Sequence, residues 1–93
     1  RRAPDRKAAL YATLKRHRSV IESCAVDAYR VGGSKAKRAE RMKKCICPET
    51  KGWRFAPGPA IHLEEEARKG TLILRLGLSE RGRVSSCAVR AKQ

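Results

Sequence analysis

The sequence predicts a small two-layer α+β domain spanning residues 1–93 as one unit. Three observations point there. Residues 4–30 place apolar side chains at helical spacing, residues 71–78 (TLILRLGL) alternate at strand period, and Gly- or Pro-containing breaks separate the segments. The expected order is two N-terminal helices, a short strand, a third short helix and a C-terminal antiparallel hairpin.

The first helix is expected over 4–30. Pro4 suits a first turn and Asp5 is a favourable charge there. Leu10, Leu14, Ile21, Cys24 and Ala28 form one apolar stripe, with His17 at its edge. Gly32-Gly33 ends the helix. Ser34 is the expected N-cap of a second helix over 35–47, whose apolar side is thin: Ala39, Met42 and Ile46. Pro48 disfavours helical geometry at Cys47 and predicts a stop there.

Trp53-Arg54-Phe55 reads as a short strand, closed by Ala56-Pro57-Gly58-Pro59. Residues 60–69 read as the third helix. Glu64, Glu65 and Glu66 would lie in its early turns and Arg68 and Lys69 in its last, matching the helix dipole. In 71–78, Leu72, Leu74, Leu76 and Leu78 share one face. Ser79-Glu80-Arg81-Gly82 is the hairpin turn, with Gly82 where φ > 0 is needed, and 83–90 is the return strand. SCAV occurs at 23–26 and again at 86–89, once in a helix and once in a strand, and chance accounts for the repeat.

A chain of 93 residues buries a modest core and benefits from a crosslink or a partner. It begins Arg1-Arg2-Ala3-Pro4 without Met, as an excised domain or a processed chain would. The formal charge is +14, from 23 Lys and Arg against 9 Asp and Glu, so the surface seeks polyanions or acidic partners. Arg1, Arg2, Arg6 and Lys7 form one basic cluster. Lys35, Lys37, Arg38, Arg41, Lys43, Lys44, Lys51 and Arg54 form a second, on and after the second helix. Such a helix would contact phosphates with salt-sensitive affinity; the plainer reading is a solvated face. No adjacent aromatics supply a stacking platform for single strands.

Four cysteines carry the remaining chemistry: Cys24, Cys45, Cys47 and Cys87. Structural zinc sites favour two to four residues between paired cysteines, and Cys45-Ile46-Cys47 has one, with no second knuckle. Completing a site would require Cys24, Cys87, His17 or His62. Dithiol catalysis favours C-x-x-C at a helix N-terminus, and this pair lies at a helix C-terminus. Two readings stay open: disulfides closing long loops in an oxidising compartment, or free buried thiols. Ser85 and Ser86 have no evident His partner, the carboxylates Glu64–Glu66 read as dipole partners, and Gly32-Gly33 is no phosphate loop. The chain therefore reads as a non-enzyme, with no cofactor, metal or small-molecule substrate expected.

Three stretches together resemble one family. GTLILRLGLSERGRVSSCAV (70–89) resembles the central hairpin of the TonB C-terminal domain family. CICPETKGWRFAPG (45–58) resembles that family's last helix and its Trp-Arg-Phe strand. LKRHRSVIESC (14–24) resembles the leading helix of its energy-transducer and gliding-motility branch. The segment order is permuted: in the family the hairpin precedes the last helix, and here it follows. The resemblance implies a non-enzymatic periplasmic domain that pairs strand to strand with a protein partner, at the outer membrane, and transmits force or supports transport. It implies that Trp53 and Phe55 are core residues, and that Cys24 and Cys87 each bridge to one of Cys45 and Cys47. Composition supports an alternative: a basic structural protein, such as a mitochondrial or other organellar ribosomal subunit, with rRNA and neighbouring ribosomal proteins as partners.

Overall fold

The computed structural model describes residues 5–93; Arg1, Arg2 and Pro4 lie outside the described residues. Within them the chain forms α1 (Arg6–Arg16), α2 (Arg18–Val31), α3 (Lys35–Thr50), β1 (Ile61–Ala67), β2 (Leu72–Leu78) and β3 (Val84–Ala91). The strands make one antiparallel sheet in the order β1-β2-β3, backed on one face by the helices. The α+β class is as expected, and four details differ.

The long N-terminal helix breaks at His17, whose backbone leaves helical geometry (φ −104, ψ 10). The expected stripe survives the break: Leu10, Leu14, Ile21, Cys24 and Ala28 are all buried. Just past the break, Arg18 swings towards β1, pairing with Glu65 and donating to the Glu66 carbonyl at 2.9 Å. The imidazole of His17 stacks flat on Trp53, with ring centroids 4.1 Å apart and planes 5° from parallel.

The second expected helix begins as predicted, with Ser34 Oγ accepting from the Lys37 N–H. It does not stop at Cys47 but runs three residues further, with Pro48 inside its last turn. Ala39, Met42, Ile46 and Thr50 form a buried stripe, so ending the helix early would withdraw Thr50 from the core. The Thr50 hydroxyl donates to the Cys47 carbonyl at 2.8 Å, satisfying one of the last-turn acceptors.

The third expected helix is a strand. Residues 61–67 pair along their whole length with β2, and their burial alternates: Leu63 and Ala67 are buried, while His62, Glu64 and Glu66 face solvent. The helix-forming glutamates are overridden by cross-strand partners, as strand formation depends on neighbours more than intrinsic preference. Glu64 meets Arg75 at 3.2 Å and Arg90 at 3.7 Å, and Glu66 meets Lys92 at 3.5 Å. In the β1–β2 turn Arg68 and Lys69 take positive φ, and the Arg68 N–H donates to the Glu22 carboxylate of α2.

Trp53-Arg54-Phe55 is irregular and, among the described residues, pairs with no strand. It is tied instead to the β2–β3 turn, with the Phe55 N–H donating to Gly82 O at 2.9 Å and the Gly58 N–H to Glu80 O at 3.0 Å. Both aromatic side chains are buried, each 5 % exposed. Gly82 has φ 78, as the hairpin reading requires, and a Cβ there would overlap the Phe55 carbonyl.

Candidate docking edge and basic helix

Two disulfides bind the helical layer to itself and to the sheet. Cys24 of α2 bridges Cys45 of α3, with Cα atoms 5.6 Å apart; Cys47 bridges Cys87 of β3, at 5.8 Å. The one-residue spacing of Cys45 and Cys47 turns their side chains about 200° apart on a helix. That divergence lets one helix end reach both α2 and the sheet. Among the described residues no group of three or more His, Cys, Asp or Glu side chains is arranged to hold a metal ion.

The ladder phase identifies which backbone groups of the sheet are free. The Lys92 N–H donates to the Thr71 carbonyl at 3.0 Å, and Leu72 sits opposite Ala91, so Thr71 and Lys92 are a hydrogen-bonded pair. Counting by two, Ile73/Arg90, Arg75/Ala88 and Gly77/Ser86 are the bonded pairs of β2 and β3. The N–H and C=O groups of Cys87, Val89 and Ala91 therefore point away from β2, and none has a partner among the described residues. The same phase turns the outward groups of β1 to His62, Glu64 and Glu66.

The two edges differ in cover. On β1 the Glu66 carbonyl is taken by Arg18, and Arg6 at the start of α1 donates to Pro59 O at 2.8 Å, just before the strand. The first tie comes from the start of α2 and the second from the start of α1, while α1 itself makes few close contacts with β1. Glu65 faces Ala8, Tyr11 and Ala12 across a shallow groove between them. Among the described residues no side chain ties the edge of β3, but α3 runs closer against that strand than any helix does to β1. α3 packs behind the strand, and a small cleft of about 140 Å³ lies between them, lined by Thr50, Lys51, Val84 and Ser86 with the Cys47–Cys87 bridge.

The sequence-predicted basic residues divide by environment. Lys37, Arg41 and Lys44 come together on the solvent face of α3, beside Val31, Gly32 and Glu40. Lys35, Lys43 and Lys51 are also exposed. Arg38 is half-buried instead, its guanidinium 4.6 Å from the Tyr29 ring centroid and donating to Gly33 O. Arg41 pairs with Asp27 at 3.1 Å, and Arg54 folds back onto the Lys51 and Trp53 carbonyls. The N-terminal cluster is not brought to α3: Arg6 is engaged at Pro59, and Lys7 stands exposed on α1.

The outer sheet face brings one pair together that the sequence did not join. His62 and Ser86 flank Gly77, yet no hydrogen bond links them, and they lie on an exposed strand surface. The residues that sequence reading missed are Val89 and Ala91 of the open edge and Arg18 of the guarded one. The hairpin turn marked 83–90 as a strand, but its place at the sheet edge depended on recognising β1.

Comparison with protein-family models, with curated proteins and with solved structures finds no match.

Proposed function

We propose that this domain is a non-enzymatic docking module of an oxidising compartment such as the periplasm, taking an extended segment of a protein partner as a fourth strand on β3. The observation that carries the reading is the unpaired outward edge of Cys87, Val89 and Ala91, in a sheet whose other edge has the Glu66 carbonyl taken by Arg18. Unpaired edges supply main-chain affinity to an incoming strand, and proteins otherwise block them. The local resemblance to the TonB C-terminal domain family supports a partner at the outer membrane and a role in force transmission or transport. The paired cysteines fit that setting. A disulfide directly behind β3 ties the strand to α3, which suits a strand under load.

The test is a titration of the oxidised domain with extended peptides from outer-membrane receptors, followed by amide NMR. The reading expects shifts in Cys87, Val89 and Ala91; shifts confined to β1 or to the helices would overturn it.

The row Lys37, Arg41 and Lys44 favours a second reading, in which α3 lies on rRNA phosphates. Binding of an rRNA fragment would then weaken steeply with salt. Absence of measurable binding at about 50 mM salt would end that reading.

A further inference from the structure

The two disulfides are not equivalent in access. Cys24 is buried, 2 % exposed, whereas its partner Cys45 is on the surface. Cys47 and Cys87 are both half-buried. Cys45 lines a cleft of about 540 Å³ between α2 and α3, with Ser23, Val26, Asp27 and Arg30. A second hollow, sharing Asp27 and Cys45, continues it past Arg41 and Lys44. The groove thus holds three cations and one carboxylate, and that carboxylate is already paired with Arg41. By contrast, the cleft at the Cys47–Cys87 bridge is about 140 Å³.

We infer that Cys24–Cys45 is a thiol–disulfide exchange site, with the Cys45 sulfur as the atom attacked by a dithiol partner protein. Exchange needs an in-line approach to one sulfur, and the groove opens on Cys45 while Cys24 is enclosed. Attack is by a thiolate, and Arg30 and Lys44, whose charges Asp27 does not offset, attract it and hold it near the sulfur.

The reaction balances without any further reagent. The partner's first thiolate bonds to the Cys45 sulfur, and the S–S bond breaks with its electron pair leaving on Cys24. The Cys24 thiolate, in an apolar setting, takes up a proton. The partner's second thiolate then attacks its own sulfur in the mixed disulfide and releases Cys45. Two electrons pass from the dithiol to the bridge; the partner leaves as a disulfide and two cysteine thiols remain. Run in reverse, an oxidised partner installs the bridge. Opening it uncouples α2 from the end of α3 while Cys47–Cys87 still ties α3 to β3. The inference stands apart from the docking reading, because it needs only the bridge and its groove.

Reduced glutathione, an anionic thiol, is the probe. The oxidised full chain is treated with it, quenched in acid, alkylated and mapped by mass. The expected first product carries glutathione on Cys45 and a free thiol at Cys24. A first adduct on Cys24, Cys47 or Cys87, or equal opening of both bridges, would overturn the inference. In the double variant Arg30→Glu with Lys44→Glu, both at exposed positions, the glutathione rate is expected to fall about tenfold at low ionic strength. The rate with neutral dithiothreitol should stay within about twofold, since a thiol without fixed charge is not steered. An equal change for both reagents, or none for glutathione, would overturn the electrostatic part.

Discussion

Replacing Cys47 and Cys87 together by alanine removes the bond that ties the sheet to α3. The bridge spans 40 residues of sequence. Loop closure over that length constrains the unfolded chain by about 4 kcal/mol at 25 °C. The corresponding figure for Cys24–Cys45, which spans 21 residues, is about 3 kcal/mol. The loops 24–45 and 47–87 do not overlap, so closing one leaves the other's entropy unchanged and the two contributions add. Their sum, about 7 kcal/mol, compares with a total stability of about 5–14 kcal/mol for a 93-residue domain. Loss of Cys47–Cys87 alone should lower the thermal midpoint by about 20 °C, and loss of both bridges should leave a marginal or unfolded chain. Urea unfolding followed by circular dichroism gives the free energies, with a larger m-value expected as the unfolded state expands. A cost below about 1 kcal/mol for Cys47→Ala/Cys87→Ala would refute the loop-closure reasoning.

Gly82→Ala should cost about 3 kcal/mol in the same unfolding assay, because φ is 78 and a Cβ would meet the Phe55 carbonyl; a neutral change would show that the turn does not hold the Trp53–Phe55 segment. Burial, aided by the Arg16 charge, holds the His17 imidazole below its ordinary value of 6.5. The folded state therefore binds its proton more weakly than the unfolded state does, and stability falls as pH drops through about 6.5, levelling below the depressed folded value. His17→Phe keeps the stack on Trp53 and should flatten that part of the Tm-against-pH curve; an unchanged curve would reassign the dependence to other groups. Val89→Pro deletes an N–H that the ladder does not use and should leave the fold within about 1–2 kcal/mol, whereas Ala88→Pro deletes a ladder donor and should cost about 3 kcal/mol or more. Equal costs for the two prolines would show that the ladder phase is misassigned.

Much of the helical layer was legible because burial there follows local rules. The stripe Leu10–Ala28, the Ser34 cap and the Gly82 turn each depend on residues within a few positions. β1 was misread for the opposite reason. IHLEEEA carries three helix-favouring glutamates, and what makes it a strand is its ladder to β2 and the burial of Leu63 and Ala67, with Arg75 and Arg90 meeting Glu64 at the surface. That single error hid the middle position of β2, and with it which edge of the sheet is open. The helix past Pro48 was illegible for a similar reason, because Thr50 is held by core packing that spacing alone does not reveal. The basic residues were easy to find in sequence, but not the partners that occupy Arg6, Arg38 and Arg54.

Amide hydrogen exchange on the oxidised domain, alone and with a bound receptor peptide, reads out whether β3 is the docking edge. Alone, the amides of Cys87, Val89 and Ala91 should exchange quickly while those of Ser86, Ala88 and Arg90 are protected by the ladder. With peptide bound, protection should appear at Cys87, Val89 and Ala91. Protection of these three in the free domain, or peptide-induced protection on β1 or α3 instead, would contradict the account.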